Sequence, residues 1–313
     1  MEAFTFHEGS LPPGFTLDYE PAIFNLPAFA LSQGAVPSIS FYLLDGKREK
    51  AVTGIHFQLV DHVARSLLKT PFGSVECADH INPKVLYGFL EKIELQLKEK
   101  GVTDIYIKNP PRDYSSARLS LLETLFFNRQ YLVSDAEVGT LDEVTDAPFG
   151  EVIRHSEKLR MQQGRRAGFI FHQADLEDLE EVYDFIGQCH QEKGYEISIT
   201  HGELQKTARA FPERYLLFGV RQEEKLLAAS ISVRVNKSVL YSFLMNHEKE
   251  YNHLSPTIPL MEGMYNYCRR NGIPLFDLGT SALREKPNFS LLDFKLHIGG
   301  RPTSKFSFHK NIG

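Results

Sequence analysis

The sequence predicts an α+β protein whose two halves share one fold, and two observations predict it. The first is an internal repeat: Tyr42-Leu43-Leu44 opens an apolar, strand-like run, and Tyr215-Leu216-Leu217 opens another 173 residues later. The second is the order in each half, in which strands precede an amphipathic helix and a closing strand, as in an α+β unit with a mixed sheet. Self-similarity over most of a chain indicates duplicated units of one fold.

Composition indicates a globular protein with room for two domains. The chain has 313 residues, of which 42% are hydrophobic, and a formal net charge of -5. This charge gives no support to a surface that is basic throughout, so we expect no DNA partner. The three cysteines, Cys77, Cys189 and Cys268, have no ligand spacing, so we expect neither a disulfide framework nor a metal site.

The first residues predict a cytoplasmic location. Met1 to Ser10 contain Glu2, His7 and Glu8 instead of the basic start and apolar core of a secretion signal. No apolar run approaches about 18 residues, so membrane insertion is not expected.

The first half begins with a proline-rich, irregular segment that ends near Pro37. Four strands are predicted next, over Ile39–Leu44, Ala51–Phe57, Val63–Leu68 and Ser74–Ala78. From Asn82, apolar residues recur at helical spacing until Gly101. A strand over Thr103–Lys108 and a helix over Ala117–Phe127 complete this half.

The second half repeats the order. Helices are predicted over Arg154–Gly164 and Leu176–Glu192, and strands over Arg214–Val220, Lys225–Val235 and Ser238–Asn246. Ser255 is the expected N-cap of the next helix, with Pro256 at its first position. Pro148 and Gly150 interrupt the pattern, which places two domains at residues 1–148 and 149–313.

Standard catalytic motifs are absent, and the candidate chemistry is positional. The sequence contains no P-loop, dinucleotide fingerprint, zincin motif or hydrolase elbow. A helix that begins directly after the strand Tyr241–Met245 presents its positive end there, which suits a phosphate or is simply a capped helix. Two basic clusters suit a phosphorylated ligand or are solvated faces. They comprise Arg154, Lys158, Arg160, Arg165 and Arg166, and, amid phenylalanines, Arg284, Lys286, Lys295, Arg301, Lys305 and Lys310.

At these positions the chain resembles the FemAB-like acyltransferases, a branch of the GNAT superfamily. The resembling segments are Ser255-Pro256, Gly272, Phe276-Asp277-Leu278-Gly279, Phe294-Lys295 with Gly299-Gly300, the Lys158–Gly164 helix that leads into Phe169-Ile170, and Thr70-Pro71-Phe72-Gly73. The resemblance implies two tandem GNAT-like domains, each a mixed, mostly antiparallel sheet flanked by helices.

The resemblance also implies site roles. The residues expected to bind the donor are Leu244, Met245, Asn252, Ser255, Pro256 and Thr257. A splay of the strand near Leu244 and Met245 would expose backbone N–H groups, and the helix start at Ser255–Thr257 would hold a pyrophosphate. Catalysis falls to Lys295, to His253 (or His247) as base and to Asp277, although Asp104 occupies the same place in the first copy and favours a structural role as strongly. Substrate contacts fall to Pro71, Phe72, Gly73, Arg165 and Arg166. The usual GNAT loop is replaced by residues 250–255.

The leading hypothesis is therefore an N-acyltransferase that moves an acyl group from a phosphate-bearing donor to a small amine acceptor. Acyl-CoA is favoured as the donor substrate, and no tightly bound cofactor is expected. An aminoacyl-tRNA donor, as in Fem-type peptidyltransferases, is the alternative. A noncatalytic binding module of the same duplicated fold is a second alternative.

Overall fold

A computed structural model describes residues 4–32, 37–283 and 286–313 of the chain. The chain forms two compact units. Unit 1 comprises Met1–Glu137 and Ser304–Gly313, and unit 2 comprises Val138–Thr303. No helix in these described ranges is long and apolar enough to cross a membrane.

The predicted strands and helices occur in the predicted order, and the structure adds strands at Phe4–Glu8, Leu132–Glu143 and Arg301–Asn311 and helices at His201–Ala210 and Phe289–His297. The strands are β1 Phe4–Glu8, β2 Thr16–Leu17, β3 Ser38–Asp45, β4 Lys50–Val60, β5 Val63–Arg65, β6 Glu76–Cys77, β7 Asp104–Lys108, β8 Leu132–Glu143, β9 Ile170–Ala174, β10 Tyr215–Gln222, β11 Lys225–Asn236, β12 Val239–His247, β13 Leu275–Thr280, β14 Ala282–Leu283, β15 Lys286–Pro287 and β16 Arg301–Asn311. The helices are α1 Pro27–Ser32, α2 Pro83–Glu99, α3 Ser116–Asn128, α4 Phe149–Val152, α5 His155–Arg166, α6 Leu179–Glu192, α7 His201–Ala210, α8 Thr257–Arg270 and α9 Phe289–His297. Short 3-10 helices lie at Ile23–Asn25, Arg112–Tyr114, Leu176–Asp178 and Lys249–Leu254.

In unit 1 the sheet runs in the order β1-β3-β4-β5-β7-β16. Neighbouring strands are antiparallel except β5 and β7, which are parallel. Helix α2 begins where Asn82 Oδ1 accepts the N–H of Lys84 at 2.9 Å, and its apolar stripe buries Phe89 and Ile93 against Ile105 of β7. This core gives unit 1 an independent hydrophobic centre.

In unit 2 the sheet runs in the order β8-β13-β12-β11-β10-β9. Strands β12 and β13 form its parallel pair, as β5 and β7 do in unit 1. Helix α8 buries Met264 and Tyr265 in a core that also contains Phe276 and Ile298. The two units therefore share one strand pattern, and the predicted fold class of two similar mixed units is confirmed.

The unit boundaries differ from the predicted division after residue 148. Residues Ser307–Asn311 of β16 pair with Asp104–Lys108 of β7, so the end of the chain belongs to unit 1. Residues of β8 pair with β13, so unit 2 begins at Val138. The prediction relied on local breaks at Pro148 and Gly150, whereas strand pairing between distant segments decides these limits.

The predicted strands Val63–Leu68 and Ser74–Ala78 are shorter in the structure. Leu67 has a φ of +59°, a left-handed backbone conformation that a strand cannot contain. The chain therefore leaves the sheet after Arg65, touches it again at an isolated bridge of Gly73 with Lys108, and rejoins it as a strand at Glu76.

Candidate functional site

A divergence of two parallel strands opens a cleft in unit 2. Described pairing of β12 with β13 extends from Val239 opposite Leu275 to Tyr241 opposite Asp277. Strand β12 continues to His247 along β11, and a register shift at Phe243 marks a β-bulge. The two strands splay beyond Tyr241, which agrees with the predicted splay near Leu244 and Met245.

The cleft has a volume of about 910 Å³. The end of β12, the end of α6, the starts of α8 and α9 and one residue of α5 form its walls. Its lining residues are Arg160, His190, Lys193, Gly194, Tyr195, Glu196, Met245, Asn246, His247, Asn252, Ser255, Thr257, Ala282, Asn288, Ser290, Leu291 and Phe294. All of these described residues belong to unit 2.

Asn246 ties the end of α6 to β12. Its Oδ1 accepts from Lys193 Nζ at 2.5 Å and from the N–H of His247 at 2.9 Å, while its Nδ2 lies 2.9 Å from Nδ1 of His190. Lys193 Nζ also donates to the carbonyl oxygen of His247 at 3.3 Å. Burial lowers the pKa of Lys193, and burial also lowers the pKa of His190. The network holds an ammonium group at the open end of β12.

His247 is held on both ring nitrogens. Nε2 lies 2.6 Å from Oδ1 of Asn252, and Nδ1 lies 2.9 Å from Oγ1 of Thr257. An amide oxygen only accepts, so Nε2 carries the proton and Nδ1 accepts from the threonine hydroxyl. Burial lowers the pKa of His247, and the charge of Lys193 lowers it further. Burial and the charge of Lys193 therefore favour a neutral His247, whose two hydrogen bonds link β12 to Asn252 and to the start of α8.

The start of α8 offers few amides to a phosphate. Helix α8 begins at Thr257 with Pro256 as its N-cap, so the predicted N-cap at Ser255 is wrong by one residue. Ser255 has a φ of +49°, and its Oγ lies 3.4 Å from the carbonyl oxygen of Asn252. Pro256 and Pro259 have no N–H, and the N–H groups of Ile258 and Leu260 donate to Ser255 O and Pro256 O. Only Thr257 supplies a further amide in this turn, which weakens the predicted pyrophosphate cradle.

Four of the six predicted donor-binding residues line the cleft. They are Met245, Asn252, Ser255 and Thr257. Leu244 and Pro256 do not line it. Successive residues of a strand point to opposite faces, which separates Leu244 from Met245. Pro256 is buried at the start of α8.

The three predicted catalytic residues lie outside the described lining of the cleft. His253 is exposed, and its Nδ1 lies 3.1 Å from the carbonyl oxygen of Glu250. Lys295 is 5% exposed and donates to the carbonyl oxygens of Gly279 and Thr280 at 3.0 and 2.8 Å. Burial lowers the pKa of Lys295 to about 8. Asp277 is 3% exposed and accepts the N–H of Gly279 at 2.7 Å. All three side chains form hydrogen bonds with backbone groups of the same unit, as residues that stabilise the fold do.

The predicted substrate residues also have structural partners. Phe72 is buried and packs edge-on against Phe24, with ring centroids 5.2 Å apart. Gly73 donates its N–H to the carbonyl oxygen of Lys108 at 2.9 Å, and Pro71 precedes this pair. Arg165 pairs with Glu262 at 2.5 Å, and Arg166 is exposed. None of these five residues is in the described lining.

The basic C-terminal segment is largely neutralised by carboxylates. Arg301 donates to Glu143 at 2.8 Å, Lys305 to Glu137 at 3.0 Å, and Lys310 to Glu94 at 2.6 Å. Arg284 and Glu285 lie outside the described residues. These ion pairs support the interpretation of this segment as part of a strand surface.

The cleft contains residues that sequence analysis did not select as site residues. Lys193 was visible as the helix stop Lys193-Gly194, and Arg160 as one of a basic cluster. His190 lies one helical turn before Lys193, on the same face of α6. Spacing alone could not show that this face meets Asn246.

One protein family and several solved structures match the chain. No curated protein matches the chain. Residues 152–287 match the family described as "Acetyltransferase (GNAT) domain". The crystal structure of FemX is similar over 94% of each chain, with a TM-score of 0.69 and 13% identity.

Two further solved structures have the same fold. A tandem GNAT protein from the clavulanic acid biosynthesis pathway is similar over 99% of each chain, with a TM-score of 0.55 and 11% identity. L-PGS from Bacillus licheniformis is similar over 93% of this chain and 92% of its own, with a TM-score of 0.58 and 15% identity. The fold expected from the resemblance is therefore confirmed, and the segment of unit 2 at residues 152–287 matches the GNAT domain family.

Proposed function

We propose that the cleft of unit 2 transfers an acyl group from a phosphate-bearing ester or thioester donor to an amine. The observation that carries this proposal is the coincidence, in the segment that matches the GNAT family, of the splay of β12 with a half-buried cation at its open end. Lys193 Nζ bonds to Asn246 Oδ1 and to the carbonyl oxygen of His247, beyond the point where β12 leaves β13. An acyl carbonyl at this point would lie beside a fixed positive charge.

The chemistry follows from that charge. The amine nitrogen attacks the acyl carbon, a C–N bond forms, and negative charge develops on the carbonyl oxygen. The Lys193 ammonium stabilises that charge best where water is excluded. The C–S or C–O bond to the donor then breaks, and the leaving group departs with the electron pair.

The amine must also lose a proton. Glu196 is the only carboxylate among the described lining residues, and it lies three residues after Lys193. Both ring nitrogens of His247 are engaged, by Asn252 and Thr257, so we propose Glu196 as the proton acceptor. Alternatively, the proton leaves on the departing thiolate or alkoxide.

Acyl-CoA is the donor that we propose first. The phosphate groups would contact the side chain of Arg160, which suits phosphate oxygens as a charge-assisted partner. A tandem GNAT protein among the structural neighbours is described with reference to AcCoA, which supports this choice. The three cysteines are buried and free, which suits the reducing cytoplasm that we propose as the setting.

An aminoacyl-tRNA donor is the second candidate, and the start of α8 favours it. Two prolines and two bonded amides leave little backbone to hold a pyrophosphate. A tRNA whose phosphates contact side chains at the rim of the cleft would not need the backbone N–H groups at the start of α8. This candidate predicts a steep loss of binding with added salt.

The test is a matrix of donors and amine acceptors read by product mass. The donors are acetyl-CoA, longer acyl-CoAs and aminoacyl-tRNA, and the full chain is used. We expect transfer from one donor class, and a loss of about 10²-fold in kcat for Lys193→Met. Lys206→Met is the matched control, because Lys206 is an exposed lysine of unit 2 outside the described lining.

Two results would overturn the proposal. One is equal transfer by wild type and Lys193→Met. The other is no transfer from any donor together with thermal stabilisation by one of them, since a ligand that binds only the native state raises its stability. The second result would establish a noncatalytic binding module.

A further inference from the structure

The hydrogen bonds around Asn246 determine which nitrogen of His190 carries the proton. Nδ1 of His190 lies 2.9 Å from Asn246 Nδ2 and also 2.9 Å from the carbonyl oxygen of Ile186. A proton on Nδ1 would satisfy Ile186, whereas a lone pair on Nδ1 would satisfy Asn246. One nitrogen cannot do both, so the orientation of the Asn246 amide decides.

The orientation of the Asn246 amide is determined by the partners of its oxygen atom. Oδ1 faces two obligate donors, the ammonium of Lys193 at 2.5 Å and the backbone N–H of His247 at 2.9 Å. Rotating the amide by half a turn would place its NH₂ group against both donors, in a side chain that is only 7% exposed. An unpaired or repelled donor in such a place is costly. Nδ2 therefore faces His190 and donates to it.

We infer that Asn246 is a positioning residue that holds His190 neutral, with its proton on Nε2, as a second hydrogen-bond donor to the cleft. With Nδ1 occupied as an acceptor, Nε2 is the nitrogen left to a ligand, and His190 lines the cleft beside Lys193. The inference rests on the proposed function for its chemical meaning: the N–H would donate to the acyl carbonyl oxygen together with Lys193.

The charges around His190 agree with a neutral ring. Lys193 lies one turn away on α6, and an imidazolium would place a second positive charge beside it. Its Nδ1 proton would also meet the amide donor of Asn246. Burial lowers the pKa of His190 and Lys193 lowers it further, while the carbonyl oxygen of Ile186 acts in the opposite direction without reversing the shift. The other titratable groups at this end of the cleft are His247 on β12 and, after α6, Tyr195 and Glu196.

The first experiment is nitrogen NMR of the histidine rings in the full chain, without any ligand. We expect His190 to be the neutral Nε2–H form between about pH 6 and pH 8, although a free histidine titrates near 6.5. In Asn246→Asp a carboxylate replaces the donor, and we expect an imidazolium at pH 7. Asn236→Asp is the control, because Asn236 only accepts the N–H of Ser238 at 2.9 Å and lies outside the described lining.

The second experiment uses turnover. We expect His190→Leu to lower kcat by about 10²-fold. His190→Gln keeps an N–H donor and should recover part of this loss. The conservative variant also guards against a fold defect in His190→Leu.

The outcomes separate this inference from the proposed function. A wild-type His190 with its proton on Nδ1, or one that titrates identically in Asn246→Asp, overturns the inference even if the protein transfers acyl groups. Absence of transfer from every donor overturns the proposed function, and the NMR result still decides the role of Asn246. Equal kcat values for His190→Leu and His190→Gln would mean that the N–H donor contributes nothing to turnover, which also overturns the catalytic part of the inference.

Discussion

Asp277 and Lys295 hold the backbone of one residue, Gly279, through its N–H and its carbonyl oxygen. Asp277 Oδ1 accepts the N–H of Gly279 at 2.7 Å, and Lys295 Nζ donates to the carbonyl oxygen of Gly279 at 3.0 Å. Gly279 has a φ of +75°, which allows the chain to turn where β13 ends. The two charged side chains are 3% and 5% exposed. Together they fix the point at which β13 leaves β12.

The first prediction is that Lys295→Met reduces stability far more than it reduces turnover of folded protein. The variant leaves the carbonyl oxygens of Gly279 and Thr280 without the buried donor that they share, and an unsatisfied buried acceptor costs about 1–3 kcal/mol. Chemical denaturation measures this loss, with Lys206→Met as the control. If Lys295 acted on substrate, kcat would collapse while the free energy of unfolding stayed at the wild-type value.

The second prediction concerns Phe72, which packs in the core of unit 1. Its ring meets Phe24 at 5.2 Å and Tyr114 at 5.7 Å between centroids. Phe72→Ala should lower the free energy of unfolding by about 3–5 kcal/mol, because it leaves a cavity. Leu132→Ala, at a residue of 69% exposure, should change it by less than about 0.5 kcal/mol. A raised KM with unchanged stability would instead support a substrate contact.

The third prediction separates two arginines of α5. Arg160 lines the cleft and is about half exposed, although it also bonds to Glu157 at 3.1 Å. Arg160→Gln should raise KM for a phosphate-bearing donor about tenfold, since a hydrogen bond to a charged group contributes about 1.5–3 kcal/mol. Arg166→Gln, outside the described lining, should leave KM unchanged. Equal effects of the two variants would point to a general charge effect on the helix.

The fourth prediction is a pH dependence of stability that originates at Asp142. Burial raises the pKa of Asp142 from 3.8 to about 7, and Glu143 adds to the rise. The folded chain therefore binds this proton where the unfolded chain does not, so stability falls as pH rises from about 4 to about 7 and is constant above. Asp142→Asn should remove this part of the slope and be more stable than wild type above pH 7.

Denaturation curves at several pH values test this assignment. The exposed Asp135 supplies the control, because Asp135→Asn should follow the wild-type slope. Parallel slopes for wild type and Asp142→Asn would show that the carboxyl of Asp142 is ionised in the folded chain at neutral pH.

The fifth prediction concerns the contact of α8 with β9. A Cβ on Gly263 would lie 2.1 Å from the ring of Phe171, so Gly263→Ala forces that ring to move. We expect a loss of about 2 kcal/mol from overpacking, despite the better helix propensity of alanine. Gly187→Ala, in α6 with its nearest atom at 4.0 Å, should be neutral or stabilising by up to about 1 kcal/mol.

A double variant tests the reason for that loss. Phe171→Leu shortens the side chain and should recover stability in the Gly263→Ala background. If the two losses simply add, the ring is not what opposes the new methyl group.

Local patterns in the sequence were sufficient to predict the order of the repeated strands and helices in the two units. The repeat and the switch from strand to helical spacing at Asn82 predicted two similar mixed units, and the structure confirms them. The start of α8 was predicted to within one residue, because proline chemistry is local. The same local reasoning led to Met245, Asn252, Ser255 and Thr257, which the structure brings to one cleft.

Only the tertiary structure shows which side chains from other parts of the chain lie beside these four cleft residues. Periodicity indicates that a helix face is buried or exposed, but not which strand it faces, so Lys193 could be read as a helix stop and not as the partner of Asn246, 53 residues later. Lys295 matched a family motif, yet the folded chain turns its amine to two backbone carbonyls. Hydrogen bonds between distant segments form only after packing, and they determine here both the limits of the units and the charge in the cleft.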